Sequence, residues 1–160
     1  MNQSALWHSP FNRDDQAQRV RQAWSATPLL HGIGSTVSRK LIGHTHLRHF
    51  NAGEHVFQEG DAGVSAAVII DGRIAIRSGD TTIAELGPGD FFGEAALLAD
   101  TPRSASAVAI SEASVSFLVR FQLEEFVRHR PRAGLDIMTN LARLLVARLH
   151  QQNHLLAGDA

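Results

Sequence analysis

The chain of 160 residues contains no cysteine, so it can build neither a disulfide framework nor a thiolate metal site. It has no apolar run approaching the ~18 residues that read as a membrane span. Its opening, residues 1–16, lacks a basic stretch followed by an apolar one, which excludes a secretory signal there. A surplus of one charge sign is missing too. The formal net charge is -1, without the basic excess that marks many nucleic-acid binders. These absences point to a soluble, cytoplasmic chain with no membrane partner. What is present is 44% apolar residues, enough for a core. The length suits one domain with helical extensions.

The periodicity changes twice along the chain. Arg13 to Trp24 reads as a helix with a thin apolar stripe, and Thr27-Pro28 ends it. Ser35 or Thr36 is expected to cap a short helix through Val37, Leu41 and Ile42. From Leu47 to Val119, short β-branched and apolar runs alternate with Gly, Asp and Pro turns at intervals of about ten. The runs are 47–50, 54–58, 65–71, 73–78, 81–86, 90–92, 104–110 and 113–119. Asp71-Gly72 between two of them is a two-residue hairpin signal. Arg73, Ile74, Ile76 and Arg77 alternate as a half-buried strand should. Eight such runs predict a β-sandwich or jelly roll. After Phe121 the chain turns helical again, first through Leu123 and Phe126. A longer helix starts at Pro131, with Leu135, Met138, Leu141, Leu145 and Leu149 on one stripe, widened by Leu144, Val146 and Leu155. That is more apolar surface than a lone helix leaves in water.

One segment carries chemistry, from Phe91 to Ser106: FFGEAALLADTPRSAS. A strand ends in Gly93, the carboxylate Glu94 follows, and Ala95 to Ala99 forms a short helical turn. The start of such a turn offers unpaired N–H groups to an anion. Arg103 comes nine residues after Glu94 and is followed by the hydroxyl of Ser104. A guanidinium is a forked, permanently charged donor suited to phosphate. A phosphodiester with a free ribose hydroxyl would satisfy the nest, the arginine, the hydroxyl and the carboxylate together.

FGEAALLADTPRSASA resembles the phosphate-binding cassette of the cyclic nucleotide-binding domain family, whose pattern is F-G-E-[LI]-A-L followed by P-R-[AST]-A. FNAGEHVFQEGD (50–61) resembles that family's entry strand, VIIDGRIAI (68–76) its central hairpin and TPLLHGI (27–33) its helical lead-in. The resemblance covers roughly residues 27–150. It implies an eight-stranded antiparallel β-roll, jelly-roll and cupin-like, with N-terminal helices and C-terminal lid and dimerisation helices. It also implies a division into a helical extension (1–26) and a binding domain (27–150), with the β-roll at 47–119 and the last helices at 121–156. Carried over by position, Glu94 would accept a hydrogen bond from the ribose 2′-hydroxyl and Arg103 would pair with the cyclic phosphate. Ser104 would donate to the phosphate or the base. Backbone N–H groups near Gly93, Ala95 and Ser104 would complete the nest, and Leu86 and Phe92 would supply an apolar wall. Ala95 stands where the family has Leu or Ile, which implies looser packing nearby. Leu145 and Leu149 are candidates to cap the base. Cyclic AMP is the favoured ligand, with cyclic GMP kept open.

Other readings carry less. His44, His46 and His49 cluster in GHTHLRH. The metal-binding superfamily with the same barrel shape uses H-x-H on a strand with a closely following glutamate, which is missing here, so no metal is expected. No nucleophile–base set, paired carboxylates or P-loop suggests catalysis. The long helix implies a homodimer. The chain ends without the further residues of a helix-turn-helix domain, so direct DNA binding is not expected and the signal would pass to a separate, unidentified protein. Two alternatives stand beside the sensor: a degenerate β-roll used as an interaction scaffold, and a metal-dependent cupin-type enzyme.

Overall fold

The computed structural model describes residues 10–158. Two four-stranded antiparallel sheets form the body, flanked by helices on both sides of the sequence. The strands are β1 (His46–Phe50), β2 (His55–Phe57), β3 (Ser65–Asp71), β4 (Ile74–Ser78), β5 (Thr81–Leu86), β6 (Phe91–Phe92), β7 (Ser106–Ala109) and β8 (Ala113–Val119). One sheet runs β1-β8-β3-β6 and the other β2-β7-β4-β5. Helices α1 (Pro10–Ser25) and α2 (Ser35–Ile42) precede the strands, and α3 (Arg120–His129) and α4 (Pro131–Gly158) follow them. The expected β-roll with helices at both ends is present. Among the described residues no helix is long and apolar enough to cross a membrane.

Strand β3 explains how the core divides. Its residues are buried from Ser65 to Ile70, and successive side chains point to opposite faces. Ala66, Val68 and Ile70 join a core beneath the helices, with Trp24, Leu41, Leu118, Phe126, Ile137 and Leu141. Ala67 and Ile69 join a second core between the sheets, with Phe50, Ile74, Phe92, Val115 and Phe117. A strand buried on both faces reads as a continuous apolar run, which is what SAAVIID is. The two residues of β6 part in the same way. Phe91 meets Trp24 edge-on at 5.8 Å, and Phe92 lies 6.0 Å from Phe57.

Segment 1–26 was expected to be an extension; its residues 1–9 lie outside the described range, while α1 packs on β3. Trp24 is fully buried and donates from Nε1 to Ser116 Oγ at 2.8 Å. Arg19 reaches the carbonyl of Ile70 at 3.2 Å.

Three local expectations need correction. Asp71-Gly72 does not close a hairpin, since β3 and β4 belong to different sheets. β3 already has β6 on one edge and β8 on the other, so no edge is left for β4. The chain instead crosses between sheets at Gly72, whose φ is +83°. The adjacent hairpin is β4–β5, turning at Gly79-Asp80. Ser35 and Thr36 do not cap α2, because the helix already begins at Ser35 and Gly34 occupies the capping position. On α4 the inward line is Gly134, Ile137 and Leu141, with Leu144 and Leu145 half-buried. Leu135 and Leu149 of the expected stripe face outward.

Candidate ligand-binding site

The site is built where β6 ends. Gly93 follows Phe92 in the left-handed conformation, with φ at +72°, a region an L-residue enters at a cost. A Cβ at this position would lie 2.8 Å from Nη1 of Arg103. Glycine is therefore needed twice, for the turn and for the approach of the guanidinium. Glu94 opens a single 3₁₀ turn, Glu94–Leu97, with Ala96 N–H bonded back to the Gly93 carbonyl at 3.2 Å. The preceding amides, of Glu94 and Ala95, have no acceptor within the turn by its geometry.

Arg103 arrives from the loop before β7. Its backbone is pinned to the 58–61 turn, donating to the Asp61 carbonyl and accepting from Gly60 N–H, each at 2.8 Å. The guanidinium lies over the Phe57 ring, 4.0 Å from its centre. Nη2 donates to the Ser65 carbonyl at 2.7 Å, and Nη1 reaches the Gly93 carbonyl at 3.5 Å. Nε is buried with no partner. No ion pair to Arg103 forms among the described residues. Burial holds its pKa below the ordinary arginine value, and the charge of Asp61 offsets this only in part. A desolvated cation resting on carbonyls and a ring creates a demand for an anion.

Glu94 is buried, its side chain 7% exposed. Oε1 is 2.6 Å from Nη1 of Arg148, on α4. Oε2 is buried and has no hydrogen-bond partner. Arg148 Nη2 donates to the Phe91 carbonyl at 2.7 Å. Helix α4 thus closes over the cassette and grips it on both sides of Phe92-Gly93.

The structure sets the Arg103 guanidinium against Gly93, while the neighbouring Glu94 side chain turns to Arg148 on α4. Phe92 and Leu86 belong to the core between the sheets, beside Phe57. Ala95 is exposed while Ala96 and Leu97 are buried, so the expected loosening around Ala95 has no packing there to act on. Ser104 is exposed, outside the bonds that hold Arg103. Of the base-capping candidates, Leu145 packs against the helix-side core and Leu149 is exposed. His44, His46 and His49 are all exposed, and His49 Nδ1 pairs with Ser114 Oγ at 2.8 Å. No group of three potential metal ligands forms among the described residues.

Sequence reasoning missed three participants: Ser65, Phe57 and Arg148. The first two are brought in by strand pairing and leave no local trace. Arg148 does leave one. It lies seven residues, or two helical turns, after Leu141 and so continues the buried line of α4. A cation in phase with a buried face calls for a buried carboxylate.

A family model, Cyclic nucleotide-binding domain, matches residues 47–130. The chain is 31% identical over 130 residues to the cyclic AMP receptor protein of Thermus thermophilus, across 78% of this chain and 58% of that protein. It is 34% identical over 91 residues to a cAMP-dependent protein kinase regulatory subunit of Hypocrea atroviridis, 57% of this chain and 20% of that one. The crystal structure of Thermus thermophilus catabolite activator protein superposes with a TM-score of 0.72 at 31% identity, covering 82% of this chain and 62% of that one. A cyclic nucleotide-binding domain from Methylobacillus flagellatus covers 100% and 97% with a TM-score of 0.76, and at 20% identity it attests the fold alone. The chain spans 58%, 36% and 49% of three curated relatives it matches.

Proposed function

Because the chain belongs to the cyclic nucleotide-binding domain family, we propose that it binds a cyclic mononucleotide as a sensor, with Arg103 neutralising the phosphate and Glu94 taking the ribose 2′-hydroxyl. The observation that carries this reading is Arg103: a partly desolvated guanidinium on Phe57, beside a glycine that leaves it room, with no carboxylate within ion-pair distance among the described residues. The free oxygen of Glu94 supplies the second half. A ribose hydroxyl would give buried Oε2 the donor it lacks. The amides around Gly93 and Ala95, and the hydroxyl of Ser104, are assigned to the phosphate rim. Leu86 and Phe92 are assigned to the apolar backing of the pocket.

Cyclic AMP is the ligand of choice, because relatives at 31% and 34% identity carry its name; cyclic GMP is the second ligand to test. The role assigned is ligand binding, as the family's description says. The output is assigned to α4 and from there to a separate protein. A ligand can shift α4 only if it binds its two positions with different affinity.

The ribose role has a direct test. Glu94→Ala is expected to weaken cyclic AMP binding by about 1.5–3 kcal/mol, one charge-assisted hydrogen bond, and to leave the 2′-deoxy analogue nearly unchanged. Calorimetry with both ligands reads this. Equal losses for the two would remove Glu94 from the sugar.

We assign the outward face of α4 to a second copy of this chain. Leu135, Val146, Leu149 and Leu156 are each more than half exposed, and Leu135, Leu149 and Leu156 fall in one heptad phase. Leu149→Glu is expected to convert a dimer to a monomer in sedimentation velocity at concentrations where the unmodified chain is dimeric. A wild-type chain that sediments as a monomer throughout, or a variant that stays dimeric, contradicts the assignment.

A further inference from the structure

Helices α1 and α2 and the start of β1 enclose a groove of about 350 Å³, none of whose lining residues belongs to the cassette or to α4. Its floor is apolar, from Val20, Ile42 and Leu47, and three arginines, Arg13, Arg21 and Arg39, line it as well. The sequence builds this directly: Arg13, Val20 and Arg21 recur at helical spacing on one face of α1, and Arg39 and Ile42 lie one turn apart on α2. All three arginines are exposed, and none forms an ion pair with a described residue. Arg19, outside the groove, is by contrast answered by Asp71 at 3.5 Å. Among the described residues no carboxylate lines the groove, although Asp14 and Asp15 stand on the same helix. Arg39 has a local reason to be there, since cations favour the carbonyl end of a helix. Arg13 has the opposite, because it lies within the first turn of α1, the end that favours anions.

We propose that this groove is a docking site for an acidic segment of a partner protein, in which one apolar side chain stands between two carboxylates. Arginine clusters read acidic motifs because a guanidinium bonds a carboxylate through two parallel N–H groups. The spacing sets the pattern. Arg13 and Arg21 are about 12 Å apart along the axis of α1, at about 1.5 Å per residue. An extended segment rises about 13 Å over four residues and turns every second side chain the same way. Carboxylates at its first and fifth positions therefore meet Arg13 and Arg21, while the third position turns its side chain to Val20, Ile42 and Leu47. Arg39 closes the opposite wall. A nucleic acid or an anionic membrane is a poorer match, because both are bound by extended basic surfaces. Here the formal net charge is -1, and the three cations surround a concave apolar floor. The site stands independently of the nucleotide reading above.

The test is fluorescence anisotropy of a labelled peptide, Gly-Ser-Glu-Ser-Leu-Ser-Glu-Ser-Gly, titrated with the unmodified chain beside the same peptide carrying Gln for both Glu. The acidic peptide is expected to bind saturably and about tenfold more tightly than the Gln peptide, the scale of two charge pairs at a surface. Added salt is expected to weaken it, since the pairs are exposed to screening. Arg21→Glu and, separately, Arg39→Glu are each expected to weaken the acidic peptide about tenfold, by reversing one charge, and to leave cyclic AMP affinity unchanged. No saturable binding of the acidic peptide, equal binding of the Gln peptide, or full retention of binding by both variants would overturn the proposal. So would sedimentation of the chain with vesicles of phosphatidylcholine and phosphatidylglycerol, lost in Arg21→Glu, in place of peptide binding; that would give the groove to a lipid surface. A chain that binds the peptide but no cyclic nucleotide would sink only the reading above and leave the groove as assigned.

Discussion

Arg103→Ala is expected to weaken cyclic AMP binding by about 2–5 kcal/mol, roughly thirtyfold to a few thousandfold. The size follows from where the guanidinium sits. Its neighbours are the carbonyls of Ser65 and Gly93 and the face of Phe57, which orient a cation without neutralising it. A phosphate oxyanion would complete the set. Without the arginine, the anion must leave water for a site with no counter-charge, and that desolvation is the greater part of the loss. The free protein is expected to lose less, about 1–2 kcal/mol: it gives up the Nη2 bond to the Ser65 carbonyl and the contact with Phe57, offset in part by removal of a charge whose burial was unfavourable. Calorimetry for affinity and a denaturant titration for stability separate the two effects. Unchanged affinity in a folded variant would remove Arg103 from the site.

Gly72→Ala is expected to destabilise the fold by about 2–5 kcal/mol, combining left-handed strain with a backbone clash. The built Cβ would lie 2.2 Å from the Glu112 carbonyl oxygen and 2.7 Å from the Cα of Ala113. Neither atom belongs to a flexible side chain that could move aside. A glycine in an open hairpin turn carries only the first of these costs. The midpoint of denaturant unfolding thus distinguishes a crossover from a hairpin at this position. A loss below about 2 kcal/mol, no more than left-handed strain alone, would contradict the close approach.

That same dipeptide shows what a one-dimensional reading captures and what it does not. Asp71-Gly72 correctly marked a sharp bend between two strands. Local chemistry sets the φ angles of a turn but not which edges pair beyond it, and β3 has both edges taken by β6 and β8. Most strand boundaries were legible because Gly, Asn, Asp or Pro interrupts the apolar runs; the β7–β8 connection, Ile110-Ser111-Glu112, has none of them. Gly93, Glu94 and Arg103 were legible because they lie within eleven residues, on one bend. Ser65 and Phe57 were not, since they reach Arg103 only through strand pairing.

The stripe expected on α4 is present in its middle: Leu141 is buried, and Met138, Leu144 and Leu145 pack on the helix-side core. Its two ends, Leu135 and Leu149, face outward instead, and Gly134 and Ile137 complete the inner line with Leu141. Leucine occurs on both faces of this helix, so hydrophobicity alone did not fix the phase. The small Gly134 marks it, because a Cβ there would lie 2.6 Å from Cγ1 of Val127 on α3.

The central claim is that a negatively charged cyclic diester sits between Arg103 and Glu94. Its most direct measurement is a calorimetric titration of the unmodified chain with cyclic AMP, cyclic GMP and uncharged adenosine in parallel. The account predicts saturable binding of a cyclic nucleotide, one per chain, with adenosine giving no comparable heat. No binding of either cyclic nucleotide, or adenosine binding as tightly as they do, would contradict it.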